Sequence, residues 1–195
     1  MSYEIGVLNG SLIQWAEDLG MKYWLDKITG RARRRWNASF NDQSHVPPWR
    51  GRTQLDVHER SMDNHWIHHK GDVLDVGCGD GSLTCRLAQR TDCRVHGIDL
   101  SEVAIFQAKS RLKDLPFEIQ ERLSFEVVDI LKSKKFSEAA QGRFDLVTDV
   151  GCFHNFNRTA DQRYVVQTIH EVLKTGGKWL LSIRAFRGEG RGTDS

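Results

Sequence analysis

The chain reads as an α/β protein built on a doubly wound, mostly parallel sheet, on three observations. Four short apolar runs, around 72–76, 94–100, 123–130 and 143–151, each lead into an aspartate. Helix-like stretches separate them, as crossover connections between parallel strands require. Between the first run and its helix stand three glycines at alternate positions, Gly77, Gly79 and Gly81. Glycine has no Cβ, so such a turn brings bare backbone against a ligand at the start of a helix.

Taken in order, the elements are these. Leu12, Ile13, Trp15, Ala16, Leu19, Tyr23, Trp24 and Ile28 recur at helical spacing and predict an amphipathic helix over 11–29, ended by Gly30. The basic run Arg31–Trp36 follows. Its plainer reading is a solvated face with Trp36 turned inward; its functional reading is a contact for an anionic substrate or nucleic acid. Residues 41–49 read as a loop and 52–69 as the helix before the sheet. Val73, Leu74 and Val76 end a buried strand, and Ser82–Ala88 starts a helix. The second strand ends at Asp99, and Ser101 is the N-cap expected for a helix over 102–113. Third and fourth strands cover 123–130 and 143–151. Tyr164, Val165, Ile169, Val172 and Leu173 mark a helix over 157–174, with Thr175-Gly176-Gly177 as its glycine C-cap. Residues 178–183 form a fifth strand, and 187–195 a mobile tail.

Bulk properties fit one domain spanning 1–195, with a helical cap over 1–50 and a ligand-binding core over 70–186. At 195 residues the chain can bury a real core, and its 39% apolar and 28% charged content is ordinary for a soluble globule. No apolar run nears the roughly 18 residues of a membrane span, so no membrane partner is expected. Glu4, Glu17 and Asp18 break any signal-peptide pattern. A net charge of +2 does not by itself argue for nucleic acid. Cys78, Cys85, Cys93 and Cys152 form no C-x-x-C pair and read as reduced thiols, with a cytoplasmic location expected.

The acids narrow the ligand. A dinucleotide fingerprint needs a third glycine at position 82, where Ser82 stands. Asp75, two residues before Gly77, would repel a pyrophosphate but suits a ligand carrying an ammonium or sulfonium. Asp99 lies 22 residues past Gly77, near the offset of a carboxylate that binds ribose hydroxyls.

This glycine loop, Asp75-Val76-Gly77-Cys78-Gly79-Asp80-Gly81, resembles motif I of the class I S-adenosylmethionine (SAM) methyltransferases. The resemblance implies a Rossmann-like fold, SAM as cofactor and S-adenosylhomocysteine (SAH) as product. It places Asp75, Gly77, Cys78 and Gly79 against the donor, Asp99 on its ribose, Leu100 on its adenine, and Asp129 with Ile130 at the adenine amino group. Trp36-Asn37, Val46-Pro47-Pro48-Trp49-Arg50-Gly51-Arg52 and Asp149-Val150-Gly151-Cys152-Phe153-His154 are similar to signatures of the thiopurine S-methyltransferase, thiol/halide methyltransferase and tellurite-resistance group. That group has Trp-Asp where Trp36-Asn37 stands and often Arg where Val150 stands. It implies a small-molecule acceptor, a thiol or other soft nucleophile. Trp36, Trp49, Phe153 and Phe156 would enclose the sulfonium, which aromatic faces attract. His154 would serve as base, and Asp149 would orient substrate or hold the SAM amino group.

The family fold continues past strand five into an antiparallel hairpin, for which about ten residues remain. A shortened chain is expected, or a homodimer through the open edge of strand five. Two other functions compete. A protein-lysine or nucleic-acid methyltransferase is one; the amino-methylating nucleic-acid enzymes usually carry Asp/Asn-Pro-Pro-aromatic where Asp149-Val150-Gly151-Cys152 stands, so nucleic acid is not favoured. The other is a SAM-binding module without catalysis. His65 and His69 share a helix face as zinc ligands can, with His58 and His68 near, but no third ligand is evident and no metal is expected.

Overall fold

The computed structural model describes residues 30–42 and 69–182. The expected helices over 11–29 and 52–69, the segment holding Trp49, most of the histidine group and the tail lie outside them.

Helix α1 (Arg31–Asn41) begins at Gly30, whose φ of 63° is left-handed. Strand β1 (Asp72–Val76) leads through the glycine turn into α2 (Ser82–Arg90). Then come β2 (Arg94–Asp99), α3 (Glu102–Leu112), the single-turn α4 (Phe117–Gln120) and β3 (Leu123–Val127). A 3₁₀ turn (Ile130–Lys132), the short α5 (Lys134–Ala139), β4 (Phe144–Val150), a second 3₁₀ turn (Phe153–Asn155), α6 (Thr159–Val172) and β5 (Leu173–Ser182) complete it.

The five strands are all parallel, in the order β3-β2-β1-β4-β5. The chain winds outward from β1 to β3, then returns to β4, so the switch point lies between β1 and β4, where open α/β sheets bind ligands. β1 is central and buried on both faces, which is why it reads as a continuous apolar run rather than an alternation. Val73, Val95, Phe125 and Leu146 face one core with Leu83, Leu87 and Ile105 of α2 and α3. Leu74, Val76, Ile98 and Val147 face the other, with Val165, Ile169 and Val172 of α6.

Two boundaries depart from expectation: β3 ends at Val127, short of 130, and the junction of α6 with β5 is displaced. α6 stops at Val172, because Leu173 already pairs with Phe144 and the Lys174 ammonium reaches Asp145 at 2.8 Å and Asp72 at 3.6 Å. The glycine turn read as a helix C-cap therefore lies within β5, where the register shifts and Gly176 has φ 78°.

Candidate functional site

The glycine loop passes three left-handed residues in alternation, Gly77 (φ 69°), Gly79 (φ 55°) and Gly81 (φ 75°). It is tied to the neighbouring strand, for Gly77 N and Cys78 N both donate to the Ile98 carbonyl, at 2.8 and 3.0 Å. A Cβ on Gly77 would stand 2.6 Å from Cys152 Cβ, so that glycine is what lets the loops after β1 and β4 approach. A Cβ on Gly79 would meet the Phe40 ring at 3.2 Å, so α1 covers the loop from above.

Asp99 lies beside this loop. One oxygen accepts from Gly79 N at 3.0 Å and the other from Ser101 N at 2.8 Å. The carboxyl is thus held in one orientation, with a lone pair remaining on each oxygen. Burial pushes its pKa up, against the two amide donors. Ser101 is the N-cap expected of it, accepting from Ala104 N at 3.1 Å. Leu100 between them is half-buried. Asp129 lies past the end of β3, accepts from Leu131 N at 3.2 Å and pairs with Lys132 at 3.4 Å; Ile130 beside it is buried.

Asp75 and Asp149 are placed otherwise than at an open rim. Asp75 is 2% exposed, and its oxygens accept from the hydroxyls of Thr84 (2.6 Å) and Thr148 (3.0 Å). Burial outweighs these bonds and raises its pKa to about 6. Asp149 is fully buried and accepts from Cys152 N at 2.9 Å and Phe153 N at 3.1 Å, and its pKa also rises to about 6. It shapes the turn that carries His154 rather than reaching out itself. His154 is exposed over Gly151, where a Cβ would stand 3.3 Å from its Cε1. Phe153 meets Phe156 at 6.3 Å and Trp179 of β5 at 5.3 Å between ring centres, an aromatic group joining the turn after β4 to β5. Cys78 and Cys152 flank the loop with pKa values raised well above the ordinary thiol by burial and by nearby carboxylates, so both are held as neutral thiols.

Trp36 is half-buried on α1 under the Arg35 guanidinium, 5.3 Å from its centroid. Trp49 lies outside the described residues. Among the described residues there is no cluster of three metal-ligating side chains and no helix long and apolar enough to cross a membrane. Sequence reasoning missed Thr84 and Thr148, the partners of Asp75, and quoted Asn37 only within a signature, without its bond from Ser101 Oγ at 2.7 Å. Thr148 is the register partner of Asp75, a pairing invisible until strand order is known.

With this geometry in view, residues 67–185 match the model of a methyltransferase-domain family. The chain belongs to that family, and its sheet and flanking helices are those of the class I SAM-dependent methyltransferase fold. It is 35% identical over 112 residues to a ubiquinone biosynthesis O-methyltransferase of Pseudomonas paraeruginosa, covering 56% of this chain and 43% of that protein. It is 29% identical over 149 residues to the protein-lysine N-methyltransferase efm4 of Schizosaccharomyces pombe, covering 69% of this chain and 59% of that one. The glycopeptide N-methyltransferase MtfA, solved with SAH, superposes with a TM-score of 0.54 at 25% identity, covering 64% of this chain and 47% of the other. The chain thus spans about half the length of the relatives it matches.

Proposed function

We propose that this chain binds SAM at the ends of β1, β2 and β3 and transfers its methyl group to a small-molecule acceptor, a thiol or other soft nucleophile. The observation that carries the donor half is Asp99, anchored by two backbone amides beside a glycine loop that a Cβ would obstruct. A carboxylate so held accepts from two vicinal hydroxyls without paying to reorient. Leu100, Asp129 and Ile130 line the neighbouring strand ends and suit an adenine. When bound, SAM supplies an electrophilic methyl carbon on a sulfonium, so the protein's part is positioning and exclusion of water.

The acceptor half rests on the turn after β4. Asp149 fixes the backbone of Cys152 and Phe153; Phe153, Phe156 and Trp179 supply an apolar wall; His154 takes the proton of an acceptor that must lose one. Asp149 is here a positioning residue. The likeness to efm4, which extends over 149 residues, favours protein lysine as the second reading. Among the described residues β5 is an edge strand, with Leu180 and Leu181 half-buried, and this supports a homodimer through that strand; light scattering showing a monodisperse monomer removes it.

The test is a SAM-consumption screen across thiols, halides, selenium and tellurium oxyanions, small amines and lysine peptides, alongside calorimetry with SAH. Turnover with a thiol or other soft small molecule is expected. Turnover confined to lysine peptides overturns the acceptor class, and tight SAH binding without turnover points to a binding module.

A further inference from the structure

We propose that α1 is a brace on the cofactor loop and that Asn37 is its key, a positioning residue that acts through Ser101. The inference rests on the reading of Asp99 as the ribose carboxylate. Contacts from three residues other than Asn37 tie α1 to the glycine loop and to α3. Phe40, 6% exposed, lies over Gly79. Gln107 Nε2 of α3 donates to the Phe40 carbonyl at 2.9 Å. Arg33 pairs with Glu102 at 2.9 Å. Asn37 is placed differently, because it meets the turn that carries Asp99.

The chain of bonds is continuous. Asn37 Oδ1 accepts from Ser101 Oγ at 2.7 Å, and Val103 N approaches the same oxygen at 3.5 Å. The Ser101 hydroxyl, fully buried, spends its proton on Asn37 while accepting from Ala104 N. Ser101 N in turn donates to Asp99, whose other oxygen holds Gly79 N under the Phe40 ring. Removing Asn37 leaves a buried hydroxyl hydrogen with no acceptor, a state that costs free energy unless the turn shifts. Any shift moves the Asp99 backbone, and with it the angle at which the carboxylate meets a ribose.

Only an acceptor oxygen is used at position 37, and it lies at the N-terminal end of α3, where a negative charge is tolerated. Asn37→Asp therefore keeps the brace, whereas Asn37→Ala and the isosteric Asn37→Leu break it. Calorimetry with SAH on the full chain is the test, with thermal unfolding in parallel. Asn37→Ala and Asn37→Leu are expected to weaken SAH by about fivefold to tenfold, the worth of one buried hydrogen bond, and Asn37→Asp to bind within twofold of wild type. Against Ser101→Ala the loss should be non-additive, since both changes remove one bond. Where an acceptor is in hand, KM for SAM rises while kcat stays within about twofold. A lowered Tm with SAH affinity unchanged overturns the proposal and leaves Asn37 a fold-stabilising residue; so does loss of affinity in Asn37→Asp equal to that in Asn37→Leu. Failure of the wild-type chain to bind SAH is a different result and overturns the cofactor reading instead.

Discussion

Asp99 and Asp149 each end a strand on the same rim of one sheet, yet they do opposite work. Asp99 accepts one backbone amide per oxygen and keeps a lone pair on each for a ligand. Asp149 is fully buried and spends both oxygens on its own turn. Asp75 follows Asp149, closed off by two threonine hydroxyls. An acid at a strand end is thus two kinds of part, one with lone pairs left over and one that spends both oxygens shaping its own turn. On the proposed reading the donor side uses both kinds, and the acceptor side, from Asp149 to Phe156, has its scaffold and an exposed His154.

The comparison breaks most sharply at Asp99. Asp99→Ala removes two loop anchors and, on the proposed reading, two charge-assisted contacts to ribose hydroxyls, and should weaken SAH by about a hundredfold or more. Calorimetry checks this, and an unchanged affinity would place Asp99 with the buried scaffold. Gly77→Ala tests the loop itself. A left-handed φ of 69° and a Cβ 2.6 Å from Cys152 leave the substitution nowhere to go; a loss of roughly 2–4 kcal/mol in urea unfolding is expected.

Asp75 sharpens the scaffold side through pH. Its folded pKa of about 6 lies above the ordinary 3.8. The folded state therefore holds the proton more tightly than the unfolded chain, and stability falls as pH rises from about 4 through 6. Relative to Asp75→Asn, which carries no charge to desolvate, the wild type should lose about 3 kcal/mol between pH 4 and pH 7, at 1.36 kcal/mol per pKa unit. Parallel stability curves for the two proteins would contradict this. The smallest effect is expected at the exposed end of the acceptor side. His154→Ala should lower kcat by about tenfold on an acceptor that must be deprotonated, with SAH affinity unchanged. Unchanged turnover removes His154 from the mechanism.

Much of this was legible in the residues. The glycine loop, the strands and the N-cap at Ser101 follow from spacing, because a parallel sheet imposes apolar runs and a strand-to-helix turn imposes glycine. The fate of each acid was not. Asp75 lies on the same face of β1 as Val73, which packs beneath α2, so its oxygens meet Thr84; that follows from strand parity and helix placement, not from spacing. Asn37 and Ser101 are 64 positions apart and meet only because α1 packs on α3. α5 has six residues, too few for a helical period to show. The end of α6 does not follow from the apolar period, because Lys174 is drawn out by Asp145 and Asp72, partners distant in sequence.

The central claim is that Asp99 and the glycine loop hold a SAM-type ligand. Titration of the full chain with SAH, beside Asp99→Ala, tests it most directly. One site per chain with micromolar or tighter affinity is predicted for the wild type and an affinity about a hundredfold weaker or worse for the variant; a cooperatively folded wild type that gives no heat contradicts it.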